Sequence, residues 1–490
     1  MLFVLIAATL SSAHEPARLE LAAVVHTPDG VGVEIPAIDT VNGLIWLTRS
    51  GEPAVARLTI DPEGAPGWLP TTDLSGFGAE ATSVSVHRGL AAVSLLPDPT
   101  KGGPGTLVLL NSTGEVLDTA PVGHHPDMVT FTPDGRSLLV ANEGEPWGNI
   151  DPPGSVSVVH LVRDGGSTCL SQPHTVQLAG DPAERDDLQN WFTPISRAHP
   201  HSIEPEYIAC SPDGSTAYVT CQENNGIAII DLEAHPPALR ALVDLGAVDH
   251  SSPQHAIDLT RDGISSLAAA PFRSLRQPDA IAAVEVEGTL RILTADEGDP
   301  RNRFGIGGVD AFEGIDIVSP SGPNGRPTLF GSRGVTLWNA EAEPLHTVSS
   351  LLEHSLGTDK AGHISDPGRV LGTRSDRRAH KRGAEPEGLA AWSDGTRAYA
   401  VVTFERAGAA MLLAIQSDRV EPLHTLVLDG PPGSDRVPSP EGVASALLTP
   451  GDPTSRLIVI ADEKTGTVTL LDFLPDRSAA KSTEPVDVHP

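Results

Sequence analysis

Carboxylates recur in this chain in one grammar. A proline followed by Asp or Glu opens an apolar run of about four residues, a turn follows, and a second apolar run ends on another acid. Pro126-Asp127 leads in this way to Asn142-Glu143, Pro205-Glu206 to Gln222-Glu223, and Pro386-Glu387 to Phe404-Glu405. Weaker copies run from Pro278-Asp279 to Asp296-Glu297 and from Pro440-Glu441 to Asp462-Glu463. With Glu204 and Glu385, each two residues ahead of an opening acid, the candidate set is Asp127, Glu143, Glu204, Glu206, Glu223, Asp279, Asp296, Glu297, Glu385, Glu387, Glu405, Glu441, Asp462 and Glu463. Carboxylates brought together cannot all stay ionised without a partner. Hard oxygen donors suit Ca²⁺, and Mg²⁺ after it, rather than Zn²⁺. Arg406 beside Glu405 and Arg301 near Asp299 are the obvious internal counter-charges or, if the site acts on phosphate esters, the catalytic candidates that would hold phosphoryl oxygens. A plain ring of structural ion pairs, with the acids as strand-end punctuation, is the competing reading.

Such a set needs elements that bring both ends of each motif together. The turns are Pro133-Asp134-Gly135, Pro212-Asp213-Gly214 and Ser393-Asp394-Gly395, where Asp and Gly supply the dihedrals of a tight hairpin. Because hairpin strands are antiparallel, opening and closing acids fall at the same end, opposite the turn. Degenerate copies near Pro36 to Thr48 and Glu80 to Ser94 bring the count to seven, and a third strand follows several of them, as in Gly226-Ile227-Ala228-Ile229-Ile230-Asp231. Repeated hairpins with outer strands predict an all-β fold, a single β-propeller over residues 14–475, seven-bladed, or eight-bladed if Phe330 to Trp338 centres a blade of its own. Inner strands of a closed propeller would converge the acids on one mouth of its channel. Polar insertions near 181–203, 244–276, 298–327 and 353–384 read as long loops.

Charge and composition exclude other classes. There are 33 Lys and Arg against 64 Asp and Glu, a net charge of −31 that repels nucleic acid. Residues 1–13 read as a signal peptide, residues 476–490 as a disordered tail, and no segment is long enough to span a bilayer. A secreted or surface-exposed monomer is expected, periplasmic in a bacterium. No His-Glu-x-x-His, Walker A, Gly-x-Ser-x-Gly or EF-hand motif occurs. His124-His125 and His199-Pro200-His201 read as solvated loop histidines, and the basic stretch Arg374 to Arg382 as a solvated loop. Cys210 and Cys221 are too far out of register for a disulfide; with Cys169 they read as buried thiols.

The stretches Pro126 to Pro146, Glu204 to Leu232, Thr294 to Arg301, Glu385 to Leu389 and Asp462 to Leu471 together resemble the choice-of-anchor I family. That family includes mesenchyme-specific cell-surface glycoproteins of skeleton-forming cells and bacterial relatives labelled alkaline phosphatase. The resemblance implies an exported propeller, linked in animals to calcium biomineralisation. Two departures stand out: Pro344-Leu345-His346-Thr347 replaces an acidic strand, and the linker before Glu385 is basic. Three functions follow as expectations: a non-enzymatic Ca²⁺-binding propeller of matrix, mineral or cell-surface interactions, a Ca²⁺-dependent phosphoesterase, and an interaction scaffold without metal.

Overall fold

Short apolar runs punctuated by Asp-Gly turns give strands and almost no helix in the computed structural model. It describes residues 16–476 except 61–64, 99–102, 147–150, 180–193, 263–265, 300–301, 304–305, 308, 319–325, 355–377, 396 and 432–437. The expected signal peptide therefore lies outside the described residues, as does the tail after Asp476, which Arg397 holds at 2.9 Å.

Seven sheets of four or five antiparallel strands carry the fold. Their innermost strands are Val33–Asp39, Glu80–His87, Pro126–Phe131, Ile208–Cys210, Ile281–Val286, Pro386–Ser393 and Pro440–Leu447. Each touches the next and the last touches the first, which closes the ring of a β-propeller. The seventh sheet is completed from the far end of the chain: Arg18–His26 pairs with Thr467–Leu474, so neither terminal strand is left as a bare edge. At the hairpin tips Gly135, Gly214 and Gly395 have φ of 66°, 74° and 92°, and Thr132 donates to Asp134 at 2.7 Å, as the Asp-Gly signal requires.

With few aromatics, the sheets pack through aliphatic side chains. Ala92, Leu107, Leu109, Val129, Leu138 and Val140 fill the seam between the second and third sheets. Leu293, Val335, Leu337, Val402, Phe404 and Met411 do the same between the fifth and sixth.

One alternative drops out and one expectation needs correction. Gly334–Trp338 is the third strand of the fifth sheet, paired with Thr289–Asp296 and Pro344–Val348, rather than the centre of another sheet. The insertions at 244–276 and 298–327 are not plain loops. Ala247–Asp249, Arg273–Leu275 and Thr328–Leu329 form a small mixed sheet, and Val309–Phe312 with Ile315–Val318 a hairpin. These pieces bury Ile257, Phe272, Ile317 and Leu329 against each other, so the insertion has an apolar core of its own.

Candidate functional site

In four of the seven hairpins, the ladder breaks where the opening acid sits, at the end away from the turn. Register shifts fall between Val33 and Pro36, Pro126 and Met128, Pro386 and Leu389, and Pro440 and Val443, which places Glu34, Asp127, Glu387 and Glu441 in bulges. A bulge leaves its extra residue out of the ladder and re-aims the side chain. Hydroxyls of the neighbouring strand fix the backbone there. Thr220 Oγ1 accepts from the Tyr207 N–H at 2.9 Å and donates to the Asp279 carbonyl of the next sheet at 2.8 Å. Thr403 likewise accepts from Gly388 N–H at 2.9 Å and donates to the Glu441 carbonyl at 3.3 Å. Sheets approach so closely that a Cβ on Gly388 would stand 2.3 Å from the Glu441 carbonyl oxygen, and one on Gly442 2.4 Å from that of Glu34. That contact explains the Pro-Glu-Gly triplets.

Glu34, Glu80, Asp127, Glu206, Asp279, Glu387 and Glu441, one from each sheet, therefore line a single cavity of about 400 Å³, with His125 and Tyr207 among them. Closing acids of the second strands stand beside this ring. Carboxylate oxygens lie within 4.8 Å of one another in three groups: Glu143, Glu206 and Glu223; Glu297, Glu387 and Glu405; and Glu405, Glu441 and Glu463. A fourth group joins His125 to Glu143 and Glu145.

The cavity disfavours charge. Burial pushes Glu34 and Asp279 up to about 7 and Asp127 to about 6, with neighbouring acids adding to the rise. Burial, then repulsion from other carboxylates, raises Glu206, Glu223, Glu387 and Glu441 well above the usual range. Burial would lower the His125 imidazolium, but a bond to Glu143 and the charges of Glu143, Glu145 and Asp127 raise it to about 9. His125 Nδ1 lies 3.0 Å from Glu143 and 3.2 Å from Glu145. This histidine belongs to the site and is not a solvated loop residue; the signal in the sequence is its place one residue before Pro126.

The two sides of the channel differ. Around the fifth to seventh sheets the acids are met by cations. Arg382 lies 3.4 Å from Glu297 and 3.3 Å from Glu385 and also pairs with Asp299. Arg406 pairs with Glu385 at 2.9 Å and with Glu405, Arg378 with Glu385, and Lys464 with Glu405 at 2.8 Å and Glu463 at 3.2 Å. Although burial alone would raise Glu405, Lys464, Arg406 and Ser439 hold it below the usual range. The stretch containing Arg378 and Arg382 is thus part of the rim rather than a solvated loop. Around the third and fourth sheets, His125 is the cation that meets the carboxylates among the described residues.

Other expected ligands take structural roles. Asp296 is fully buried and accepts from Thr294 at 2.7 Å, Ser332 at 2.8 Å and Thr336 at 2.6 Å, so its oxygens are spent inside the fifth sheet. Asp462 caps the turn after its strand, accepting from the backbone N–H groups of Ser439, Lys464 and Thr465. Glu385, buried among three arginines, is a counter-charge for them. Glu204 is buried and outside the cavity lining, its N–H donates to the Asn224 side chain at 3.0 Å, and its charge adds to the rise of Glu223. Arg301 lies outside the described residues. Sequence reading missed Glu34 and Glu80 because neither follows a proline, although both open inner strands of the repeat. All three cysteines are free; Cys221 is buried, Cys210 and Cys169 partly so.

A propeller whose channel is ringed by carboxylates is the class that this architecture defines. Comparison with protein families matches the choice-of-anchor I domain over residues 34–316, more than half of the chain. The protein belongs to the choice-of-anchor I family. No curated protein matches the sequence. Among solved structures, the chain is similar to Kuenenia stuttgartiensis hydrazine synthase, at 11% identity and a TM-score of 0.49, over 91% of this chain and 97% of that one. It is also similar to the Myceliophteria thermophila Cps50 (Swd1) β-propeller domain, at 8% identity and a TM-score of 0.47, over 93% and 99%. The family and fold fit a surface or extracellular propeller, and among the described residues no helix is long and apolar enough to cross a membrane.

Proposed function

We propose that this propeller binds divalent cations at the mouth of its channel, Ca²⁺ in preference to Mg²⁺, and serves matrix, mineral or surface interactions outside the cell without catalysing a reaction. The observation that carries this reading is the convergence of seven acids, one from each sheet, on a cavity whose lining contains one basic side chain, His125. Ca²⁺ takes six to eight oxygens at about 2.3–2.6 Å, so two ligands across one ion lie about 5 Å apart. The carboxylate groups, with oxygens within 4.8 Å of one another, have that spacing before any ion arrives. Mg²⁺ demands a tighter octahedron and gives up its water reluctantly, which a ring of fixed bulges serves poorly.

Titration calorimetry of Ca²⁺ into chelator-stripped protein, with thermal unfolding in Ca²⁺ and in EDTA, tests the reading. Saturable binding and a higher melting temperature in Ca²⁺ are expected, since an ion that binds the folded chain stabilises it by mass action. No binding heat and a melting temperature indifferent to Ca²⁺ and EDTA would refute it in favour of the ion-paired scaffold. The hydrolytic reading draws less support, because Arg406, one of its two candidate arginines, is engaged by Glu385 and Glu405.

A further inference from the structure

We infer that the cation sits on one side of the channel only, at Glu143, Glu206 and Glu223, and that arginine and lysine side chains of this same chain fill the corresponding carboxylates on the other side. The inference rests on the cation-binding reading and adds to it a location, a stoichiometry and the residues that set both.

On the occupied side, cationic groups of this chain already supply the positive charge that an ion would bring, although they meet Glu405 through Oε1 alone and leave Glu387 Oε2 without a donor. Glu405 receives Arg406, Lys464 and the Ser439 hydroxyl, the last two each at 2.8 Å. Glu297 is met by Arg382 at 3.4 Å and by the Gln222 side-chain amide at 2.8 Å. Behind them Glu385 binds Arg378, Arg382 and Arg406 together. These arginines are held in place from below. Arg333, fully buried, donates to the carbonyls of Ala379 at 2.7 Å, Lys381 at 2.9 Å and Asp258 at 2.8 Å, which clamps the segment that carries Arg378 and Arg382. A guanidinium fork matches carboxylate geometry and stays charged, so it is a permanent counter-ion.

The open side differs in its cationic partners. Among the described residues no Lys or Arg pairs with Glu143, Glu206 or Glu223, and His125 meets only one oxygen of Glu143. Glu223 is 9% exposed, and its Oε2 is buried with no hydrogen-bond donor. A buried carboxylate oxygen left without a donor bears its full desolvation cost. An ion at the point where the three carboxylates meet would remove that cost; with His125 on one Glu143 oxygen, Glu206 and Glu223 binding through both oxygens and Glu143 through its other supply about five, and water completes the Ca²⁺ range.

Calorimetry with Ca²⁺ on the full chain and on two variants tests this. One tight ion per wild-type chain is expected. Glu223→Gln should weaken it by about tenfold or more, as loss of a direct ligand costs at least what loss of a supporting group does. Glu405→Gln, on the occupied side, should leave it within about threefold, because Glu405 is already met by Arg406 and Lys464 and shares no ligand with the site. Two or more tight ions, or an equal loss in both variants, would overturn the one-sided assignment while leaving cation binding intact. A wild-type chain that binds no Ca²⁺ would instead overturn the cation-binding reading itself. Circular dichroism checks each variant's fold, and Glu206→Gln, measured alongside, must weaken binding as Glu223→Gln does or the assignment fails.

Discussion

Glu34→Gln should stabilise the protein increasingly as pH rises from 5 to 8.5. Burial, with the charges of Glu80 and Glu463 added and a Ser50 hydrogen bond opposing, lifts this carboxyl from an ordinary 4.5 to about 7. A carboxyl whose folded value lies above its unfolded one holds its proton more tightly when folded. Its stabilising contribution is therefore complete below about 4.5 and is lost as pH climbs through about 7. At ~1.4 kcal/mol per pH unit the whole effect is about 3 kcal/mol, and solvent screening of a partly exposed group brings the measurable part to about 1–3 kcal/mol. Glutamine does not titrate, so the variant escapes that loss. With an unfolding entropy of ~2.1 cal/mol/K per residue, a chain of 490 residues has about 1 kcal/mol/K, so the melting-temperature difference should grow by about 1–3 °C in favour of the variant. The measurement is thermal unfolding of both proteins in EDTA at constant ionic strength across that pH range. A difference that stays constant, or that shrinks with rising pH, would show that Glu34 does not share the low-dielectric ring and would remove it from the site.

Asp296→Ala should leave the hydroxyls of Thr294, Ser332 and Thr336 without their acceptor and cost about 2–4 kcal/mol in urea unfolding, while the Ca²⁺ isotherm stays unchanged. Arg382→Ala removes the counter-ion shared by Glu297, Asp299 and Glu385 and should destabilise by about 3 kcal/mol at pH 7; Arg382→Lys, lacking the fork, should recover only part of this in the same urea series. Cys221 is fully buried and burial pushes the Cys210 thiol up to about 12, so Ellman's reagent should leave both untouched in the native protein and titrate three thiols after unfolding.

What the sequence makes legible follows from how local each signal is. Asp-Gly turns and alternating apolar runs are short-range, and the hairpins centred on Gly135, Gly214 and Gly395 stand where those residues place them. The closing strand Arg18–His26 is invisible in the same way of reading, because its partner Thr467–Leu474 lies some 450 residues on. The acids divide by the same rule. Those that follow proline, Asp127, Glu206, Asp279, Glu387 and Glu441, are in the ring. Asp296 and Asp462 carry the same repeat signature, but hydroxyls and N–H groups within their own sheets claim them, and spacing does not encode which neighbour claims an oxygen. Nor does it reveal that Arg378 and Arg382, which follow an insertion, fold back to reach Glu385 and Glu297.

The unequal treatment of equivalent carboxylates is itself informative about function. This chain can neutralise a rim acid where the fold requires it: three arginines surround Glu385, and Arg406 and Lys464 meet Glu405. The same repeat, one or two sheets away, presents Glu206 and Glu223 with no such partner among the described residues and raises the proton affinity of both through burial and mutual repulsion. A sequence shaped for stability alone would extend the ion-pair network or replace those acids with amides, since buried carboxylates without partners are among the costlier groups a fold can hold. Local rules are broken in this way where a site needs charge held ready for something that is not part of the chain. For oxygen donors spaced within 4.8 Å around a channel mouth, a hard divalent cation is the smallest species that would repay the cost.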